Sequence, residues 1–203
     1  MIHAPAAFGE FDHSLWDLLL SKHVIVSEDG LSTAVDYTSL GSNREPLALY
    51  LDQASRISRT TFDAWETPEQ LAFLINLYNA ATVELILDNR KSANSLTSIR
   101  DIGTLFTSAW ELKRVALFGE RVTLDAIEHD MIRGWGRYNE PRIHFAVNCA
   151  AIGCPALRAE AYTGAKLNAQ LDDAARTFLS DRSRNYFDGN RLYLSSIFKW
   201  YRE

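Results

Sequence analysis

The stretch Thr67–Asn89, TPEQLAFLINLYNAATVELILDN, decides how the rest of the chain must be arranged. Thr67 can cap a helix, and Pro68 suits the first turn, where its missing N–H would have no partner. Glu69 and Gln70 add polar groups to that turn. Apolar residues then occupy nearly every face, which predicts a helix buried on all sides at the centre of the domain. Asn76 and Asn79 are three residues apart and therefore neighbours on one side of it. Both carboxamides need partners, because an unpaired buried amide costs about 1–3 kcal/mol.

Outward from this helix the pattern alternates between helices and hairpins. FDHSLWDLLLSKHV (11–24) has helical spacing, with Asp12 or Ser14 as cap. IVSEDGLSTAVDY (25–37) reads as short extended pieces around an Asp-Gly turn. REPLALYLDQASRI (44–57) reads as a helix with Pro46 in its first turn. KRVALFGERVTL (113–124) is a hairpin turning at Phe118-Gly119 and leading into a helix over 123–135. RIHFAVNC (142–149), a short apolar run after Pro141, reads as an inner strand. TGAKLNAQLDDAARTFLSD (163–181) is an amphipathic helix with Leu167, Leu171, Ala174, Ala175, Phe178 and Leu179 on one face. RNYFDGNRLYLS (184–195) is a second hairpin, and SSIFKWYRE opens a last helix. There is no repeat, linker or βαβ order. The expectation is one compact α+β domain over residues 1–203, its buried central helix packed against an antiparallel sheet of hairpins.

The 203 residues are 47% hydrophobic, 11% aromatic and 23% charged, enough for a large core. A net charge of −5 and the lack of any Lys/Arg cluster argue against nucleic acid or an anionic membrane surface as partner. No apolar run reaches the ~18 residues of a transmembrane segment, and the first residues show no signal peptide, so the compartment stays open. Two cysteines exclude a disulfide scaffold but allow one bridge.

Chemistry concentrates in two stretches. In TLDAIEHDMIR (123–133), helical geometry places Glu128 near the middle of an apolar face formed by Leu124, Ile127, Met131 and Ile132, with His129 towards its edge. A carboxylate there must be paired or protonated. It is either a structural acid bonded to backbone or to Arg133 or Arg142, or an acid that orients a histidine or a substrate. In HFAVNCAAIGCPAL (144–157), Cys149 follows the expected strand, and Ala150, Ala151 and Gly153 leave room for a ligand. Cys149 is a candidate nucleophile, a small buried apolar residue, or one half of a Cys149–Cys154 bridge. A regular strand would separate His144 from Cys149, which makes His129 the better partner. The spacing His144-x4-Cys149-x4-Cys154 does not fit a zinc site, so no metal is expected. His3, His13 and His23 read as surface or helix-edge residues.

AFLINLYNA (72–80), LDAIEHDMIR (124–133), PRIHFAVNCAAIGCPALRAEAY (141–162) and LYLSSIFKWY (192–201), in this order, resemble the domain of unknown function DUF547. That resemblance covers nearly the whole chain and implies recurrent polar positions at Asn76, Asn79, Glu128, His129 and Cys149. It also implies bacterial relatives that are often exported, plant relatives joined to coiled coils, and a usual C-terminal continuation beyond WYRE. The residue set is similar to the parts of papain-like and transglutaminase-like thiol enzymes. The expected function is a thiol-dependent hydrolase or acyltransferase acting on a peptide, amide or thioester. Cys149 would be the nucleophile, His129 its base, Glu128 a support and Asn79 an orienting or oxyanion group, with Asn76, His144 and Arg133 contacting substrate. No cofactor is implied. The alternatives are a non-catalytic binding or scaffold domain with a buried polar core, and a redox-sensing thiol pair.

Overall fold

The computed structural model describes residues 9–90, 108–150 and 153–200. Its elements in chain order begin with α1 (Ser14–His23), the hairpin β1 (Val24–Val26) and β2 (Thr33–Val35), and α2 (Tyr37–Ser42). Three more helices follow: α3 (Glu45–Ser55), α4 (Arg59–Asp63) and α5 (Thr67–Asn89). After a 3-10 turn at Ala109–Glu111 come β3 (Val115–Leu117) and β4 (Glu120–Val122), a π-helix (Ala126–Arg133) and a 3-10 helix (Pro141–Phe145). A second short 3-10 turn (Gly164–Lys166) leads into α6 (Leu167–Ser180), and β5 (Tyr186–Phe187), β6 (Leu192–Tyr193) and α7 (Ile197–Trp200) complete the described chain.

The α+β class and the buried central helix expected from the sequence are both present. Every residue of α5 from Glu69 to Val83 is buried. By length and composition α5 could cross a membrane, but 89% of the relevant window is buried inside the protein, so these residues build the core. α5 packs against α3, α6, the π-helix and the Gly164–Lys166 turn. Its two sides serve two apolar clusters. One gathers Phe62, Phe73, Tyr78, Ile127, Ile143 and Tyr162. The other gathers Trp16, Leu20, Leu47, Tyr50 and Val83.

Among the described residues, the three antiparallel hairpins around this core are separate two-stranded ladders. Val115 pairs with Val122, and the turn between them has positive φ at both Phe118 (54°) and Gly119 (83°). Positive φ at both central residues is what a tight hairpin of the I′ kind demands. Asp188 closes the last hairpin by accepting from the backbone of Asn190 and Arg191, with Gly189 at φ 94°.

Three expectations need correction. The segment 142–149 is not a strand. Pro141 opens a 3-10 helix, Glu140 caps it by accepting from Arg142 N, and Ala146 N donates to Ile143 O. His13 and His23 are not surface residues, being 6% and 4% exposed. His13 is held by Tyr50 from α3, a contact 37 residues away that local spacing cannot reveal. His3 and the last residues of WYRE lie outside the described residues. Leu179, expected on the buried face of α6, is 51% exposed, while Leu167, Leu171 and Phe178 are buried.

Candidate functional site

The site is built from the central helix outward. Asn79 Nδ2 donates to Ala146 O (3.0 Å), and its Oδ1 accepts from Asn148 N (2.8 Å). One turn earlier, Asn76 Nδ2 donates to Tyr162 O (2.7 Å), and its Oδ1 accepts from Tyr162 N (3.0 Å). Each carboxamide therefore satisfies one donor and one acceptor of an irregular backbone, as a neighbouring strand would. A helix buried along most of its length carries these two amides to hold the segments on either side of the cysteines.

Asn148 then closes the loop itself. Its Nδ2 donates to Pro155 O (2.6 Å), and its Oδ1 accepts from Ala150 N (2.9 Å). Between these anchors Cys149 and Cys154 are joined by a disulfide, with Cα atoms 5.9 Å apart, inside the normal range for such bonds. Cys154 is 3% exposed, whereas Cys149 is only half-buried. Ala150 sits at φ +53°, a left-handed conformation costly for a residue with a Cβ. Ser195 Oγ donates to Gly153 O (3.3 Å), tying the loop to the C-terminal segment. A cavity of about 360 Å³, lined by Phe145, Ala156, Leu157, Tyr162 and Phe178 among others, adjoins the chain on both sides of the loop.

The other expected site residues cluster on the π-helix and the 3-10 helix. Glu128 is 4% exposed, as its place on the apolar face required. His129 is exposed, and its Nδ1 lies 2.8 Å from Arg133 Nη1. A guanidinium only donates, so Nδ1 accepts and the neutral ring carries its proton on Nε2. His144 is half-buried, and burial, followed by the nearby Arg133 guanidinium and the His129 ring, pushes it down to about 4. His129, Arg133 and His144 thus form one group. Arg142, weighed as a partner for Glu128, instead binds Glu140 and Asp172.

Among the described residues no group of three His, Cys, Asp or Glu side chains could hold a metal ion. The sequence reading missed Asn148, although an Asn before a small-residue turn is the residue type that bonds its own backbone two positions on.

The model of the family described as a protein of unknown function, DUF547, matches residues 62–179, more than half of the chain. The chain belongs to the DUF547 family. No curated protein and no solved structure matches it. The matched span of this DUF547 chain contains α5 with both asparagines, the π-helix and the cysteine loop, so the whole clamp falls within the domain the family defines.

Proposed function

We propose that this DUF547 domain carries a reversible dithiol–disulfide site in which Cys149 is the sulfur that exchanges with an incoming thiol. The observation that carries the reading is the clamp. Asn79 and Asn148 fix both ends of the loop, so reduction leaves two thiols at close range and oxidation needs little rearrangement. The unequal burial of the sulfurs supplies the direction. An incoming thiolate attacks half-buried Cys149, and the electron pair of the broken bond leaves on Cys154. A second thiol resolves the mixed disulfide, so the two small thiols depart as their own disulfide and the protein keeps both protons as a dithiol.

A second reading, acyl transfer by Cys149 to a peptide, amide or thioester, belongs to the reduced protein. It is favoured by the left-handed Ala150 that follows Cys149, because strained backbone gathers at reactive groups. Here His129 can take the thiol proton only once Arg133 releases Nδ1, because Nδ1 accepts from the guanidinium and Nε2 carries the ring proton.

The test is site-resolved alkylation in thiol buffers of graded potential. The expected result is half-reduction above about −300 mV, with a mixed disulfide trapped on Cys149 in Cys154→Ser. A bond that persists below that potential, or a Cys149 that captures no thiol in Cys154→Ser, would overturn the reading. Acyl transfer requires that reduced wild type turn over an activated ester and that Cys149→Ala does not.

A further inference from the structure

A second polar centre lies away from the cysteines, where the start of α1 meets the first turn of α5. Tyr50 is fully buried, and its hydroxyl lies 2.9 Å from His13 Nδ1. That hydroxyl has one hydrogen, and Nδ1 is the acceptor within reach. Tyr50 therefore donates, and the proton of the neutral imidazole sits on Nε2. His13 is 6% exposed, its Nε2 is shielded from solvent, and among the described residues no group hydrogen-bonds that atom. Glu69 Oε1 is 4.0 Å away, beyond hydrogen-bonding range.

The surroundings hold this geometry. Gly164 N donates to Glu69 Oε2 (2.9 Å), and a Cβ on Gly164 would lie 2.5 Å from that oxygen, so any larger residue there would displace the carboxylate that this backbone holds. His13 and Glu69 line a cleft of about 440 Å³, the size of a small-ligand pocket. Phe11 forms part of its wall, and Glu10, Asp12, Asp17 and Glu160 stand around it against a single lysine, Lys166.

We propose that this cleft binds a neutral sugar or polyol, one hydroxyl of which accepts from His13 Nε2–H and donates to Glu69 Oε1. A hydroxyl is the group that satisfies a donor and a carboxylate 4.0 Å apart through one atom. An ammonium would set its own hydrogens against the His13 N–H. An anion would meet five carboxylates, counting Glu69, and one lysine. The Phe11 ring offers the C–H face of a sugar an apolar wall.

The experiment follows the ring nitrogens of His13 by nitrogen-15 NMR in the whole chain. Glucose, galactose, N-acetylglucosamine and glycerol are titrated, with glucose 6-phosphate and glucuronate as anionic counterparts. The expected result is a saturable shift of Nε2 with at least one neutral compound at millimolar concentration. The anionic counterparts should bind at least tenfold more weakly at low salt. Glu69→Gln, which keeps the shape, should weaken the neutral ligand by a similar factor while its thermal melt confirms folding. A His13 signal that no neutral compound moves, with exchange to bulk water alone, overturns the proposal. Equal binding of a sugar and its phosphate does so as well.

Discussion

Two buried polar clusters hang from the same helix, and they are finished to different degrees. At Asn76 and Asn79 each carboxamide meets one backbone donor and one backbone acceptor, and Asn148 repeats the device at the loop. At His13, Tyr50 and Glu69 one nitrogen is left over beside a cleft. Each asparagine spends its described hydrogen bonds on backbone, so its effect there is to fix the chain. An incomplete cluster leaves a desolvated donor waiting for an acceptor, which costs stability unless something else completes it. The asparagines therefore shape the cysteine loop, while the histidine keeps the capacity to bind.

The comparison breaks most directly at the asparagines. Asn76→Ala or Asn79→Ala orphans two buried backbone groups at once, so each should lower stability by roughly 2–6 kcal/mol, read from urea unfolding. The two should then diverge. Asn79→Ala frees the backbone next to Cys149 and should change the rate of thiol exchange there, whereas Asn76→Ala should leave that rate alone. Equal exchange rates would show that the Asn79 clamp does not govern the loop.

The next largest effect is a pH dependence. Burial pushes His13 down to about 4, while nearby Asp12 opposes the shift. The folded state then holds fewer protons than the unfolded chain below the ordinary histidine value near 6.5. Stability from this group is complete above about 6.5 and is lost as the pH falls towards about 4, by about 3 kcal/mol at most. His144, also pushed down to about 4, adds to the same limb. Glu69, raised by burial, acts with opposite sign because its protonated form is favoured in the fold, and Glu10 strengthens that shift. Asp17 and Lys166 stand nearby on the cleft wall. Thermal melts between pH 7.5 and 4 should fall with acid in wild type and fall less in His13→Gln. An unchanged slope would remove His13 from the account.

The central helix was legible because it has no polar face to mislead, and the hairpins were legible because Gly119 and Gly189 mark their turns. The strand expected at 142–149 was not. A short apolar run does not reveal whether its backbone will pair with another strand or with a side chain, and here the partner is Asn79, about seventy residues earlier. The same reason hid His13, whose burial depends on Tyr50 and Glu69. Glu128 was placed correctly on its buried face, although the helix there is a π-helix rather than an α-helix, a form frequent at functional sites. Local pattern thus gave the elements, and contacts between distant residues gave the site.

The smallest predicted effect sharpens the comparison best. Tyr50→Phe removes only an oxygen, and its net stability cost should be near 1 kcal/mol, because the hydrogen bond it loses is the single one described for that hydroxyl. Its consequence for His13 is larger than its cost. Without the donor, Nδ1 has no hydrogen to accept, so the ring is free to move its proton from Nε2 to Nδ1. Nε2 then becomes an acceptor beside the Glu69 carboxylate, which favours protonation of one or the other. Nitrogen-15 spectra of Tyr50→Phe should show a changed tautomer balance at His13, while the alkylation profile of Cys149 stays that of wild type. A retained Nε2–H tautomer would mean that Glu69, rather than Tyr50, sets the ring, and the unfinished cluster would then be organised from the helix and not from α3.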